Sequence, residues 1–269
     1  MKFPEIDSEL VKDEITTFIK NILDKAGADG IVIGLSGGID SSVVAFLLKE
    51  AIGKNNVYSY HLHSSTTPKE DTEHARAMSK LLDIYYKEIN IDTITNEFLS
   101  LAKDDNASDI SEDLGSEGNL KARIRMTMLY YFANMKNCLV AGTGNKSELL
   151  IGYFTKYGDG ACDFEPIGDI YKTQLRKLAK EWNIPDEIID KPPRAGLWIG
   201  QTDEDEIGLT YDVLDKLLYL LIDKQLEDAD ILEEVNISKL TLVDLKNRIN
   251  NNEHKLEFPP SPFEEKKLF

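Results

Sequence analysis

Ser36-Gly37-Gly38-Ile39-Asp40-Ser41-Ser42 brings together glycines, hydroxyls and one carboxylate in a single short stretch. Apolar residues 31–33, then Gly34 and Leu35, precede it, and helix formers follow over residues 43–50. That order makes a buried strand, a tight loop and a helix. Backbone N–H groups at a helix N-terminus hold an anion unaided. Gly37 and Gly38 let the main chain approach a phosphate and take up unusual dihedrals. Ser36, Ser41 and Ser42 add hydroxyl donors. Asp40 is out of place beside a phosphate unless a divalent cation bridges the two. A Walker loop requires Gly-Lys-Ser/Thr, and the stretch holds no lysine. The dinucleotide fingerprint requires Gly-x-Gly-x-x-Gly, and Gly34, Gly37 and Gly38 miss that spacing. A glycine-rich turn without a ligand is the bland alternative. It leaves the order of strand, loop and helix unexplained.

Gly142-Thr143-Gly144-Asn145-Lys146-Ser147-Glu148 is a second cluster, placed just after the apolar residues 138–141. Glu148 opens a helix there and can join Asp40 on one Mg²⁺, since that ion favours a pair of carboxylates completed by phosphate oxygens. A first-turn acid favoured by the helix dipole is the other reading of Glu148. The third cluster is Phe154-Thr155-Lys156-Tyr157-Gly158-Asp159-Gly160-Ala161-Cys162-Asp163. It is an aromatic, glycine-rich loop, and such loops on a rigid sheet usually bind something.

The elements that must position these clusters can be read from periodicity. Residues 6–25 carry apolar side chains at helical spacing and end at Gly27. Residues 57–63 alternate as a strand. Thr67 is the expected N-cap of the next helix, with Pro68 in its first turn and Glu70 closing a capping box, and the helix runs to residue 82. Residues 84–91 read as a third strand and 138–142 as a fourth. Strands alternating with helices predict an α/β fold, a doubly wound, Rossmann-like parallel sheet flanked by helices. Ligands in such sheets sit at the carboxyl ends of the strands, where the glycine loop already lies. Residues 101–119 read as a polar loop, 120–135 as a helix, and 143–169 as turns. Helices are expected over 171–182, 211–221, 228–234 and 240–250, with an irregular acidic stretch from 194 to 206 and an extended tail over 251–269.

The 269 residues suit one large α/β domain. The formal charge of −17 repels nucleic-acid phosphates, so neither DNA nor tRNA is expected as a partner. Cys138 and Cys162 are too few for a disulfide scaffold. No apolar run approaches membrane-spanning length, and the first residues do not read as a signal peptide, so no membrane association and a cytoplasmic location are expected.

The loop around Asp40 resembles the pyrophosphate loop of the N-type ATP pyrophosphatases, which adenylate a carboxylate or carbonyl oxygen and release pyrophosphate. Further motifs follow in order. They are Asn119-Leu120-Lys121-Ala122-Arg123-Ile124-Arg125-Met126, the Gly142–Glu148 cluster and Phe154 to Gly160. Then come Lys191-Pro192-Pro193 with Ala195-Gly196-Leu197-Trp198, and Gly200-Gln201-Thr202-Asp203-Glu204. Together they are similar to the ammonia-dependent NAD⁺ synthetases, over nearly the whole chain. The resemblance implies an adenine nucleotide alpha-hydrolase-like fold, with residues 1–269 forming a single domain and 251–269 its tail.

It also implies roles. Gly34, Leu35, Ser36, Gly37, Gly38, Ile39, Asp40 and Ser41 would cradle the phosphates of ATP, joined by Thr143, Lys172 and Arg194. Asp40 and Glu148 would hold Mg²⁺. Arg123, Lys156, Asp163, His254 and Lys255 would contact deamido-NAD⁺, and Asp40, Lys156 and Lys172 would serve catalysis. Taken singly, Arg123 and Lys172 read as ordinary solvated helix charges, and His254 lacks the neighbours of a metal site. Arg194 stands where the family usually has a small hydroxyl residue; it either adds a phosphate contact or swings outward. The implied reaction forms an NAD-adenylate from deamido-NAD⁺ and ATP, then uses ammonia to give NAD⁺, AMP and pyrophosphate. The chain leaves no room for a glutaminase domain, so free ammonia is the expected nitrogen source. The family's homodimer would place the deamido-NAD⁺ site across its interface. Two rivals are a tRNA-thiolating relative, which needs reactive thiols and a basic face, and a nucleotide-sensing module, which needs no Mg²⁺ ligands.

Overall fold

The computed structural model describes residues 3–102, 113–194, 196–198 and 200–260. Four strands, β1 (Gly30–Gly34), β2 (Val57–His63), β3 (Tyr85–Asn90) and β4 (Cys138–Ala141), form one parallel sheet in the order β3-β2-β1-β4. Phe164 adds a parallel bridge to Ala141. The first three strands wind outward in one direction, and the fourth crosses to the far side of β1. The order therefore reverses at β1, and a crevice opens there beyond the strand ends. Ile31, Val32 and Ile33 have no exposed surface, as a central parallel strand covered on both faces requires.

The helices are α1 (Ser8–Ala26), α2 (Ile39–Ile52), α3 (Lys69–Leu82), α4 (Asp92–Ala102), α5 (Leu114–Lys136), α6 (Lys146–Ile151), α7 (Lys172–Glu181), α8 (Asp186–Ile189), α9 (Asp203–Ile207), α10 (Tyr211–Leu218), α11 (Asp228–Glu234) and α12 (Lys239–Asn252). One face of the sheet carries α2, packed against α1, α3 and α7 around Ile31, Ile33, Val43 and Leu47. The other carries α5 against β1 and β4, around Val32, Tyr60, Leu62 and Ile124. A third cluster joins α6, α10 and α12 around Tyr211, Leu214 and Leu217. Burying each such side chain stabilises by about 1.5–3 kcal/mol. Among the described residues, no helix is long and apolar enough to cross a membrane.

Several boundaries differ from expectation for local reasons. Thr67 does not cap α3. Its hydroxyl accepts the Ser64 N–H at 3.0 Å within a turn, Pro68 takes the cap position without a side-chain bond, and Glu70 pairs with Arg194 instead. Residues 114–119, expected as loop, are the first turns of α5, started by Asp113, which accepts the Gly115 N–H at 3.1 Å. Residues 103–112 of that expected loop lie outside the described residues. The α4 helix was not foreseen, because its apolar Ile94, Phe98 and Leu101 face solvent rather than a core. Asn145 and Glu148 form a capping box that turns part of the expected 143–169 turn region into α6, and Thr202 caps α9 within the acidic stretch. The expected extended tail begins as helix. Asn252 ends α12, and 253–255 make a 3₁₀ turn held by Lys255, whose Nζ donates to the carbonyls of Gly152 at 2.7 Å and Phe154 at 3.0 Å. Residues 261–269 lie outside the described residues.

Candidate active site

The glycine loop leaves β1 at the point where strand order reverses. Gly37 sits at φ +84°, a conformation that L side chains rarely adopt, and a Cβ there would lie 2.0 Å from the Asp71 carbonyl oxygen. The loop is braced from within. The Ser36 N–H donates to Ser41 Oγ at 3.1 Å, the Ser41 hydroxyl donates to the Gly38 carbonyl at 3.2 Å, and the Gly38 N–H donates to Ser36 Oγ at 3.2 Å. It is also braced from β2, since His61 donates from Nδ1 to the Leu35 carbonyl at 2.9 Å and Nε2 meets the Thr72 hydroxyl at 3.0 Å. Burial lowers the pKa of that imidazole and keeps it neutral. No side chain caps α2, so the N–H groups of its first turn are directed at whatever lies beyond the loop.

What lies beyond is a cavity of about 650 Å³ at the carboxyl ends of β1, β2 and β4. Of the expected ATP contacts, all but Gly37 border it. Gly37 meets it indirectly, its carbonyl accepting from Lys191 Nζ at 2.7 Å. A charge cluster lines the cavity. Lys172 Nζ lies 2.6 Å from Asp40 Oδ2 and 3.2 Å from Glu148 Oε1, and its side chain is only 2% exposed. Asn145 holds the other Asp40 oxygen from Nδ2 at 2.8 Å.

Local anchoring explains why Lys172 points inward. It is the first residue of α7, where a cation opposes the helix dipole. Its N–H donates to Ser147 Oγ at 2.9 Å, and Ser147 in turn donates to Asp215 Oδ1 at 2.5 Å. Asp215 also accepts the Thr173 N–H at 2.8 Å, which fixes the helix start. Burial lowers the affinity of the ammonium for its proton, but Asp40 and Glu148 outweigh it and hold the pKa above the usual value. Burial pushes the pKa of Glu148 up, and the ammonium of Lys172 opposes that shift. The Tyr211 hydroxyl lies 3.3 Å from Glu148 Oε1 and 3.2 Å from Asp203 Oδ2, tying α9 and α10 to the cluster. Two carboxylates sharing one cation suit Mg²⁺ completed by phosphate oxygens. Among the described residues no group of three or more His, Cys, Asp and Glu side chains suits a metal ion, so a fit depends on those oxygens.

The expected deamido-NAD⁺ contacts divide. Lys255 borders the cavity. Arg123, Lys156, Asp163 and His254 do not line it. Arg123 Nε donates to the Lys156 carbonyl at 3.3 Å, and Lys156 Nζ donates to the His254 carbonyl. Asp163 accepts the Val140 N–H at 2.7 Å and the Tyr130 hydroxyl at 3.1 Å, which ties the 154–163 loop to β4 and α5. Arg194 borders the cavity, where its guanidinium pairs with Glu70 and, at 3.1 Å, with Asp71. Sequence reasoning missed Asp71, Asp203 and Tyr211. Asp203 and Lys191 stand inside the Gly-Gln-Thr-Asp-Glu and Lys-Pro-Pro motifs, which were the available signal.

A glycine-rich loop at the switch point of a parallel sheet, facing an Asp–Glu–Lys cluster, is an arrangement suited to a nucleotide-dependent α/β enzyme. Comparison narrows the class: the sequence model of the NAD synthase family matches residues 11–259, and the chain belongs to that family. It is 46% identical over 258 residues to an NH₃-dependent NAD⁺ synthetase of Methanosarcina acetivorans, covering 96% of this chain and 99% of the relative. Against the enzyme of the same name from Methanocaldococcus jannaschii the identity is 46%, with 94% and 96% covered. Among solved structures it is similar to NMN synthetase from Francisella tularensis, at TM-score 0.83 and 33% identity over 96% and 100% of the two chains. It is also similar to an NH₃-dependent NAD synthetase from Campylobacter jejuni, at TM-score 0.79 and 34% identity over 95% and 99%. The fold is the adenine nucleotide alpha-hydrolase-like one of these enzymes.

Proposed function

We propose that the chain is a cytoplasmic, ammonia-dependent NAD⁺ synthetase that works as a homodimer. One observation carries the chemistry: Asp40, Glu148 and Lys172 converge in the cavity onto which the glycine loop opens. Carboxylates gathered around a phosphate loop suit a reaction whose leaving group is pyrophosphate. A carboxylate oxygen of the nicotinate ring attacks the α-phosphorus of ATP. The bond to the β-phosphate oxygen breaks and that oxygen keeps the electron pair. Ammonia then adds to the activated carbonyl, sheds a proton and displaces AMP.

The chain's own groups do the binding and the charge work. The N–H groups at the start of α2 and the Ser36 and Ser41 hydroxyls hold the phosphates. Lys172 donates to them, and Asp40 and Glu148 would hold Mg²⁺. When bound, that ion supplies charge neutralisation worth several kcal/mol to the departing pyrophosphate. The 154–163 loop, with Lys156 and Asp163, orients the nicotinate half, and orientation rather than covalent chemistry supplies the remaining rate.

Two features support the dimer. Arg123, Lys156 and His254 lie outside this chain's own cavity, as contacts to a substrate spanning an interface would. Phe98, Tyr131 and Met135 are each more than half exposed, apolar side chains that association would cover.

The test is exchange of labelled pyrophosphate into ATP without ammonia. Exchange is expected only with deamido-NAD⁺ present, and it should vanish in Asp40→Asn, which keeps shape but loses the anionic ligand. Exchange in Asp40→Asn at the parent rate would sink the reading. The likeness to NMN synthetase favours a second substrate, a pyridine mononucleotide, on the same frame. Comparing rates with deamido-NAD⁺ and with nicotinic acid mononucleotide separates the two.

A further inference from the structure

The phosphate loop carries no lysine, yet an ammonium touches it. Lys191 Nζ donates to the Gly37 carbonyl at 2.7 Å and to Asp71 Oδ1 at 2.5 Å. Its side chain is 9% exposed and that of Asp71 is 11% exposed. Both border the cavity. The contact is built from three directions. The first turn of α3 presses on the loop at Gly37, where only a glycine fits beneath the Asp71 carbonyl. Pro192 and Pro193 stiffen the chain just after Lys191. The Pro193 carbonyl then accepts the Asp203 N–H at 3.0 Å, which fixes the far side.

The charges around it do not balance within the cavity. Asp71 is shared by two cations, Lys191 and Arg194, and the other partner of Arg194 is Glu70, whose side chain is 53% exposed. An ammonium has three donors, and the structure commits two of those on Lys191. The third has no partner among the described residues. A buried cation held against a phosphate loop with a donor to spare is matched to an anion in that loop.

We propose that Lys191 is a phosphate-contact residue for the pyrophosphate half of ATP. It delivers from a distant segment the lysine that a Walker loop carries within itself, and Asp71 is its positioning residue. The proposal rests on the ATP-cleaving reaction above and extends it to the fate of the leaving group. As the bond between the α-phosphorus and the bridging oxygen breaks, charge grows on the β- and γ-phosphates, and Lys191 donates a hydrogen bond there without giving up its proton. Lys172 serves the other side, beside Asp40 and Glu148.

The test measures pyrophosphate and AMP binding separately, by calorimetry with Mg²⁺ present. Lys191→Gln is expected to weaken pyrophosphate by about tenfold or more, the effect of losing a charge-assisted hydrogen bond, while AMP affinity stays within a factor of about two. Lys191→Arg keeps the charge and should recover much of the loss; it also serves if the glutamine variant folds poorly. Asp71→Asn should act in the same direction as Lys191→Gln, more weakly. A merely structural role would weaken AMP and pyrophosphate together, and that result overturns the proposal, as does unchanged pyrophosphate affinity. Substrate choice is measured separately on the parent enzyme. If the parent releases pyrophosphate with the mononucleotide rather than deamido-NAD⁺, the substrate reading falls and the Lys191 result stands.

Discussion

The two thiols show how local surroundings settle a residue's chemistry. Cys138 begins β4 and is buried, and burial raises its pKa. Cys162 donates to Glu165 Oε1 at 3.3 Å, and burial, with that carboxylate next, raises its pKa further. Neither is a thiolate at neutral pH, so neither is a ready nucleophile. Changing Cys138 to Ala and Cys162 to Ser together should leave kcat within about twofold and cost roughly 1 kcal/mol of stability, mainly at the buried Cys138. The check is steady-state kinetics beside urea unfolding, and a folded double variant without turnover would restore a thiol mechanism. Asp40, Ser36 and Glu148 were legible in the sequence because each lies within a few positions of the backbone that gives it a role. Lys191 was not, because its partner Gly37 is 154 positions away. Asp71 reads as one more acid in a helix's first turn. Arg194 pairs with Glu70 and Asp71 of α3 at the edge of the cavity, partners that its own neighbours in the sequence do not reveal.

At the level of elements, the turn after β4 depends on a carboxylate reaching back to it. Glu165 accepts the Gly144 N–H at 3.0 Å, and a Cβ on Gly142 would lie 2.3 Å from its Oε2. Burial pushes Glu165 up to about 7, against the hydrogen bonds from Cys162 and Gly144, which pull it down. The sign follows from proton counts. Between the ordinary carboxylate value and about 7 the native state keeps a proton that the unfolded chain releases. Stability therefore falls as pH rises through that window and levels off above it, by at most on the order of 3 kcal/mol. Glu165→Gln removes the titration while keeping an acceptor for Gly144. The difference in unfolding free energy between parent and variant should thus shift steadily in the variant's favour from about pH 5 to about pH 8. Parallel stability–pH curves would show that Glu165 is ionised throughout. Elements legible in the sequence were those with a buried face: β1, β2, α1 and α7. Those that were missed, α4 and α9, are short or present apolar groups to solvent, and α6, foreseen only as a helix opening at Glu148, is likewise short; caps such as Asn145 and Thr202 start α6 and α9 in place of a core stripe.

For the whole molecule, the question is where the nitrogen comes from. The second half-reaction needs a neutral amine to reach an acyl group that water would also attack. A glutamine-using enzyme generates that amine with a nucleophilic thiolate. Among the described residues Cys138 is packed in the sheet and Cys162 is held as a thiol against Glu165, within the fold that carries the phosphate loop. Net charge works in the same direction: −17 over the chain draws ammonium toward its surface and repels anionic competitors. Ammonium chloride should therefore support NAD⁺ formation, and glutamine alone, in ammonia-free buffer and without a partner protein, should give none above background. Raising pH should increase the rate at fixed total ammonia, because more of it is the unprotonated nucleophile. Electrostatic steering also makes the apparent KM for ammonium rise with ionic strength as the surface charge is screened. The decisive comparison is NAD⁺ formed from ammonium and from glutamine at equal concentration, each with deamido-NAD⁺, ATP and Mg²⁺; equal turnover with glutamine would mean that a thiol of this chain, against the geometry of both, releases ammonia.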